Sequence, residues 1–265
     1  MNQITAEVGP TEEETVEGKY IERVAYQGGL DDASYLRGVP AVAWLLSGQP
    51  LCFRRDVTIF AGENGSGKST LLEAIAVAGG FNPEGGSKNF TFSTSATHSP
   101  LYRHLSVSKT RHEKDGFFLR AEGFYNLATN VEELDALPAA APPISRSYGG
   151  KSLHCQSHGE SFLAAVQNRF GGRGLYLLDE PEAALSPMKQ LTLLCEISAL
   201  VEKDSQFIIA THSPILMAFP GAEVLWLSER GIEPVEYRET EHYQVTKRFL
   251  SDPERMLRHL LGHAS

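Results

Sequence analysis

The sequence predicts an α/β domain built on a mostly parallel sheet, and three short apolar runs are the main evidence. The runs are Asp56–Phe60, Gly174–Leu178 and Gln206–Ala210, rich in the branched and aromatic residues that are typical of buried strands. A helical string, Leu71–Ala78, follows the first run, and leucine spacing predicts a helix over Pro187–Val201 between the other two. Strands that alternate with helices over short links favour a parallel sheet.

Length and composition bound the organisation of the chain. The 265 residues carry 24 Lys and Arg against 33 Asp and Glu, a net charge of −9, so nucleic-acid binding would need a local basic patch. Three cysteines without a C-x-x-C pair favour a reducing, cytoplasmic compartment. We expect a mobile acidic N-terminus, residues 1–18, and a single domain, residues 19–265, with a helical or insert lobe over about 98–170.

No integral membrane segment is expected from the hydropathy pattern. The most apolar window, Val39–Leu46, contains a proline and is much shorter than the roughly 20 residues of a membrane span. The N-terminal region is rich in glutamate and therefore negatively charged, whereas a signal peptide begins with a positively charged region.

Residues 62–69 form a complete G-x4-G-K-[ST] phosphate-binding motif between a predicted strand and a predicted helix. Glycines allow successive backbone N–H groups to converge on a phosphate, and the helix N-terminus adds positive potential. We expect Lys68 to neutralise the β- and γ-phosphates of a nucleotide and the Ser69 hydroxyl to bind Mg²⁺. The predicted nucleotide-binding residues are Gly62, Glu63, Asn64, Gly65, Ser66, Gly67, Lys68, Ser69 and Thr70.

Polar residues also follow the second and third apolar runs. Asp179 and Glu180 end the second run, and His212 lies in the Thr-His-Ser-Pro segment after the third. Because ligands gather at the carboxyl ends of parallel strands, Asp179 is predicted to bind Mg²⁺ and Glu180 to polarise an attacking water. In isolation, such acids are commonly just exposed at a strand end, and a lone histidine is usually structural.

With these motifs in order, the sequence resembles the ABC class of P-loop ATPases over roughly residues 50–230. The signature segment of that class corresponds to Ser157–Ser161, the Walker-B and D-loop segment to Leu178–Ser186, and the switch segment to Ala210–His212. The Thr-His-Ser-Pro form is most similar to stand-alone bacterial ATPases labelled AAA family, relatives of the SMC-like and overcoming-lysogenization-defect groups. The resemblance implies an ABC-type nucleotide-binding domain with a mostly parallel central sheet, an antiparallel β part and a helical lobe.

The resemblance also implies ligands, partners and roles for individual residues. ATP and Mg²⁺ are the implied ligands, with Glu180 and His212 as catalytic residues. Ser157, Gly159 and Glu160 of one subunit would contact the ATP of the other in a head-to-tail homodimer formed on ATP binding. By position, Glu122 replaces the usual Q-loop glutamine and is assigned as a further metal ligand. The residue that would stack on adenine is left open among Tyr35, Trp44 and Phe53.

Three features leave alternatives open. Ser157 and Glu160 also match a capping box at a helix start, an interpretation that is compatible with an anion site. His158 and Ser186 depart from the residues usual in transporter ATPases of this class. The segment 98–120 is the one basic island, which indicates either a solvated charged face or a DNA contact.

Three functions therefore compete. The first is a stand-alone ATPase that acts on nucleic acid or on a partner effector protein. The second is the nucleotide-binding subunit of a membrane transporter, and the third is a slow nucleotide-sensing switch.

Overall fold

The computed structural model describes residues 19–88, 98–135, 143–150 and 157–262, without the side chains of Tyr125, Leu127 and His158. The predicted mobile N-terminus, residues 1–18, lies outside the described residues. The strands are β1 (Arg23–Tyr26), β2 (Leu51–Cys52), β3 (Val57–Gly62), β4 (Leu105–Ser108), β5 (Asp115–Arg120), β6 (Gly174–Asp179), β7 (Gln206–Ala210), β8 (Glu223–Ser228) and β9 (Gly231–Pro234).

The helices follow the strands along the chain in the order that a parallel sheet requires. They are α1 (Pro40–Leu46), α2 (Lys68–Ala78), α3 (Phe124–Asp135), α4 (His158–Arg169), α5 (Pro187–Glu202), α6 (Pro214–Met217), α7 (Glu241–Ser251) and α8 (Pro253–Leu261). Short 3-10 turns include Tyr35–Gly38 and Pro181–Ala184. Within the described ranges, no helix is both long and apolar enough to cross a bilayer.

Six strands form the central sheet, in the order β5, β6, β7, β3, β8, β9. Neighbouring strands are parallel from β5 to β8, and only β9 runs antiparallel to its neighbour. A second, antiparallel sheet has the order β2, β1, β4. The predicted fold class, a mostly parallel central sheet with an antiparallel β part and helices, is confirmed.

The central sheet is buried on both faces because its side chains alternate between two apolar clusters. Phe60, Leu177 and Ile208 belong to the cluster that includes α1, α2 and the small sheet. The neighbouring residues Ile209 and Leu178 belong to the cluster that includes α3, α4, α5 and α6. The chain is therefore layered, with the sheet between two sets of helices.

The range 98–170 contains both strands and helices. β4 belongs to the small sheet and β5 is the edge strand of the central sheet, so the first part of this range is built into the body. The helical part begins with α3 at Phe124 and continues through α4. The helical or insert lobe over about 98–170 stays a prediction.

Strand register positions the site at one edge of the central sheet. Asp179 at the end of β6 lies opposite Ala210 of β7, and Ala210 lies opposite Phe60 of β3. The segments that follow these three strands thus begin at the same edge, where open parallel sheets hold their ligands.

Candidate nucleotide-binding site

The phosphate-binding loop connects β3 to α2, and two of its glycines are required by space as well as by conformation. Gly62 and Gly67 have φ angles of +143° and +96°. A Cβ atom on Gly62 would lie 2.2 Å from the carbonyl oxygen of Leu227, and one on Gly67 would lie 2.4 Å from Cγ1 of Val39. The loop backbone therefore packs directly against β8 and the start of α1, which fixes its curvature.

Lys68 is the first residue of α2, and its ammonium group is buried inside the loop. Its Nζ donates to the carbonyl oxygens of Gly62 at 2.9 Å and Glu63 at 2.8 Å. Burial lowers the pKa of Lys68, and the carboxylates of Glu180 and Asp179 act in the opposite direction. The cation is thus held among carbonyl dipoles, within the loop that would receive an anion.

The remaining loop residues divide between an exposed tip and a partly buried base. Glu63, Asn64 and Gly65 are exposed, whereas Ser69 and Thr70 are half-buried on the first turn of α2. The Oγ of Ser66 is buried and has no hydrogen-bond partner in the described part of the chain. Because buried hydroxyls are rarely left unpaired, this atom indicates a polar ligand or a water.

Asp179 and Ser69 form the donor pair of a candidate Mg²⁺ site. The Asp179 carboxylate accepts a hydrogen bond from the Ser69 side chain, and its Oδ2 lies 3.4 Å from Nε of Arg120. Its Oδ1 is buried without a hydrogen-bond partner among the described residues. Burial raises the pKa of Asp179 to about 6, although Arg120 and Ser69 lower it. An unpartnered carboxylate oxygen beside a hydroxyl fits Mg²⁺, which prefers hard oxygen ligands.

Glu122, the third predicted metal ligand, is exposed in the turn after β5. Its charge contributes to the raised pKa of Asp179. Its role as a ligand stays a prediction.

Glu180 has an unusual backbone conformation for a residue with a side chain. Its φ and ψ angles are +48° and +50°, in the left-handed region. The backbone N–H donates to the carbonyl oxygen of Ala210 at 2.9 Å, and Pro181 begins a 3-10 turn directly after it. The carboxylate is 40% exposed and its Oε1 lies 3.9 Å from Nε2 of His212. Strained backbone of this kind is concentrated at functional sites.

Glu182 joins the segment after β6 to the segment after β7, a role that sequence reasoning missed. Its carboxylate accepts from the Thr211 hydroxyl at 2.7 Å and from the backbone N–H of His212 at 2.6 Å. Burial raises the pKa of Glu182, while both hydrogen bonds lower it. The only sequence signal was its place two residues after Glu180 in an Asp-Glu-Pro-Glu run.

The signature segment caps α4, as the capping-box interpretation predicts. Glu160 Oε2 accepts from the backbone N–H of Ser157 at 2.9 Å and from its hydroxyl at 2.6 Å. A Cβ atom on Gly159 would lie 2.6 Å from the carbonyl oxygen of Ala184, so only glycine fits where α4 meets the 3-10 turn. Lys189 Nζ lies 3.4 Å from the Ser157 hydroxyl. These contacts are internal, and a phosphate role for Ser157 and Gly159 remains a proposal.

The comparisons with known proteins agree with this geometry. Residues 44–118 match a family model described as "AAA domain", and residues 161–218 match one described as "AAA domain, putative AbiEii toxin, Type IV TA system". The cytochrome c biogenesis ATP-binding export protein CcmA of Rhizobium johnstonii is 29% identical over 177 residues, which are 60% of this chain and 77% of that protein.

Two solved structures resemble the chain at low sequence identity. An ATP-binding cassette of an ABC transporter is 15% identical with a TM-score of 0.50, over 89% of this chain and 96% of that one. The SMC head domain of Thermotoga maritima is 15% identical with a TM-score of 0.42, over 82% of this chain and 99% of that one. The family models lie over the phosphate-binding loop and the Walker-B and switch segments. The family-model matches and the fold together support a P-loop ATPase domain of the ABC type.

Proteins of this class bind ATP, typically with Mg²⁺, and work as dimers. Hydrolysis of ATP is the general activity of such P-loop ATPases.

Of the three aromatic candidates for the adenine contact, Tyr35 differs from the other two in its solvent exposure. Phe53 is fully buried against Phe60, and Trp44 is half-buried where it packs on Gly231. Tyr35 is 70% exposed. It begins the 3-10 turn that leads into α1, whose Ala41 N–H donates to the Ser66 carbonyl of the phosphate-binding loop.

Three of the five Lys and Arg side chains in the basic island at 98–120 form ion pairs within the chain. Lys109 lies 3.1 Å from the Glu113 carboxylate, and Arg111 forms two hydrogen bonds to Asp204. Arg120 binds Glu73 at 2.6 Å in addition to its contact with Asp179. These ion pairs favour the charged-face interpretation over a DNA contact.

Proposed function

We propose that the chain hydrolyses ATP at the edge of the central sheet and does so as a head-to-tail homodimer. The observation that carries the proposal is the convergence of Lys68, Asp179, Glu180 and His212 there. Among them, one Asp179 oxygen has no hydrogen-bond partner in the part of the chain that the structure describes. A phosphate cradle, a metal ligand pair and a carboxylate in one place are the parts that phosphoryl transfer to water requires.

Each group has a distinct role in this proposal. The loop N–H groups and Lys68 bind the β- and γ-phosphates, and Ser69 and Asp179 hold Mg²⁺, with Glu122 as a further candidate ligand. When bound, the metal would neutralise the negative charge that develops on the phosphates. Glu180 accepts a proton from the attacking water, because its carboxylate is only partly buried and is turned towards His212. The exposed ring of Tyr35 stacks on adenine.

The dimer supplies the second half of each site. The N-terminus of α4, with Ser157 exposed at its cap, carries the positive end of a helix dipole. Beside it on α5, Met188 is 71% exposed and Leu191 is 47% exposed, flanking Lys189. Exposed large apolar side chains of this kind fit a surface that another copy covers. Ser157, Gly159 and Glu160 would then lie over the phosphates that the partner binds.

We further propose a cytoplasmic ATPase whose cycle acts on a partner effector protein. The internal ion pairs of Lys109 and Arg111 make nucleic acid the less favoured partner.

A transporter subunit is the second candidate, because CcmA is named as an export ATP-binding protein. Affinity purification from detergent-solubilised membranes separates the two. Stoichiometric recovery of an integral membrane protein supports the transporter subunit, and its absence supports the stand-alone enzyme.

Release of phosphate from Mg-ATP by the purified chain tests the hydrolysis itself. Glu180→Gln should lower the rate by roughly 10²- to 10⁴-fold, as is typical of general-base loss, while ATP binding persists. Lys203→Ala, an exposed lysine at the end of α5, is the matched control and should retain the wild-type rate. A wild-type rate in Glu180→Gln would place the base elsewhere. Binding without turnover by the wild-type chain would favour the slow nucleotide-sensing switch.

A further inference from the structure

We infer that His242 is a positioning residue that fixes the tautomer of His212, so that the proton of His212 is on the nitrogen that faces the nucleotide site. The inference rests on the proposed function for its consequence and on geometry for its evidence. His242 lies on α7, about 30 residues along the chain from His212, and no sequence motif relates the two.

The two rings are joined by a direct contact between ring nitrogens. Nδ1 of His212 lies 3.0 Å from Nε2 of His242, and the ring centroids are 5.2 Å apart. The ring of Trp226 on β8 packs against the His242 ring in a T-shaped arrangement, with 5.6 Å between the ring centroids. Both histidines are half-buried. The pair therefore connects α7 to the switch segment through one hydrogen bond.

A hydrogen bond between two imidazole nitrogens needs one proton, and the neighbours of His212 select its location. If His242 Nε2–H donates, Nδ1 of His212 accepts, and neutral His212 then carries its proton on Nε2. That N–H faces the carboxylate of Glu180, whose Oε1 lies 3.9 Å away. In the opposite arrangement, a lone pair of His212 would face the same carboxylate, which is repulsive.

The other nitrogen of His242 supports this assignment. Nδ1 of His242 is buried and has no hydrogen-bond partner within the described ranges. With the proton on Nε2, this buried atom is an unpaired acceptor, whereas the other tautomer would bury an unpaired N–H, which native structures rarely do.

The pKa of each histidine lies below its ordinary value, which favours the neutral ring near pH 7. Burial is the main cause that lowers the pKa of each histidine, and the Lys68 ammonium lowers both further. Glu180 opposes this shift at His212, and Glu241 and Glu182 oppose it at His242. A neutral His212 with a proton on Nε2 can donate to Glu180 or to a phosphate oxygen without adding a charge.

Three variants separate this role from ordinary packing. His242→Leu removes the donor, His242→Gln keeps an N–H at similar reach, and Val245→Ala changes an exposed residue of the same helix as a control. The readouts are kcat, ATP affinity by calorimetry, and the ¹⁵N–¹H imidazole spectrum of His212.

His242→Leu should lower kcat by roughly 10- to 100-fold, the size of loss seen when the hydrogen-bond partner of a metal-binding histidine is removed, with ATP affinity unchanged. His242→Gln should recover most of the rate, and Val245→Ala should retain all of it. The double variant His212→Ala/His242→Leu should be no slower than His212→Ala. In the spectrum, wild-type His212 should show the Nε2–H tautomer, and His242→Leu should show a mixture.

An unchanged His212 spectrum in His242→Leu would overturn the inference, whatever the rates are. So would rate losses that add to those of His212→Ala, since additivity would mean that His242 acts through general packing. If the wild-type chain fails to hydrolyse ATP, the proposed function fails, and the spectrum still decides the tautomer assignment.

Discussion

The two halves of the proposed composite site differ in how their polar groups are satisfied. In the phosphate-binding half, Ser66 Oγ and Asp179 Oδ1 are buried without partners in the described part of the chain. In the α4 half, Ser157 and Glu160 satisfy each other in a capping box. The first half is therefore organised to receive a ligand, whereas the second is stable without one. We expect nucleotide affinity to depend on the first half and assembly to depend on the second.

Lys68→Ala should have the largest effect on this contrast. It removes the buried ammonium that is proposed to bind the β- and γ-phosphates, and loss of one partner of a buried charged contact typically costs about 2–5 kcal/mol of binding. Isothermal titration calorimetry should therefore show a dissociation constant for ATP that is at least about tenfold higher than that of the wild type. Lys203→Ala is the control. Unchanged affinity in Lys68→Ala would refute the assignment of the phosphate-binding half.

Asp179→Asn should separate stability from function in the same half-site. Because the pKa of Asp179 is raised to about 6, the folded state retains a proton that the unfolded state releases between about pH 4 and pH 6. The contribution of this group to stability is therefore highest below that window and falls as pH rises through it, by up to about 3 kcal/mol.

In Mg²⁺-free buffer, Asp179→Asn should raise the free energy of unfolding at pH 7.5 and have little effect at pH 4. Urea denaturation at the two pH values measures both quantities. The variant should also lose the Mg²⁺ dependence of ATP binding. Lower stability at pH 7.5 would show that the buried carboxylate is already compensated by Arg120 and that no ligand is required.

Ser157→Ala should have the smallest effect, confined to the α4 half. Loss of an N-cap hydroxyl typically costs about 1 kcal/mol of stability. Urea denaturation should show this loss, while calorimetry at a concentration where the chain is monomeric should show unchanged ATP affinity. A fall in monomer affinity would mean that Ser157 contacts the nucleotide within its own chain, which would remove the reason for a composite site.

The strands, loop and helices with strong local sequence patterns were predictable from the sequence. The side-chain contacts between distant residues of the site were not. The strand, glycine-rich loop and helix around residues 62–69 follow one another along the chain. Local sequence patterns are therefore enough to predict them. The Asp179–Ser69 pair was also predictable, because both ends of the pattern carry known chemistry. The pairing of β5 with β6 was not predictable, because the two strands are far apart in the sequence.

Residues that act through distant partners gave no usable signal. Arg120 lies in the basic island by sequence, but it binds Glu73 and Asp179. His242 lies on an amphipathic tail helix and reaches His212 only because of how α7 packs. Such contacts depend on tertiary packing, which the spacing of the two partners in the sequence does not predict.

The association state of Glu180→Gln tests the central claim most directly. This variant should bind ATP without hydrolysing it, so the nucleotide persists between two copies. Light scattering after size exclusion should then give twice the mass of one chain with Mg-ATP and the mass of one chain with ADP. Adding Ser157→Arg, which crowds the start of α4, should restore the single-chain mass with Mg-ATP while calorimetry still detects ATP binding. A mass that is the same with ATP and ADP, or a dimer that Ser157→Arg leaves intact, would contradict the composite site.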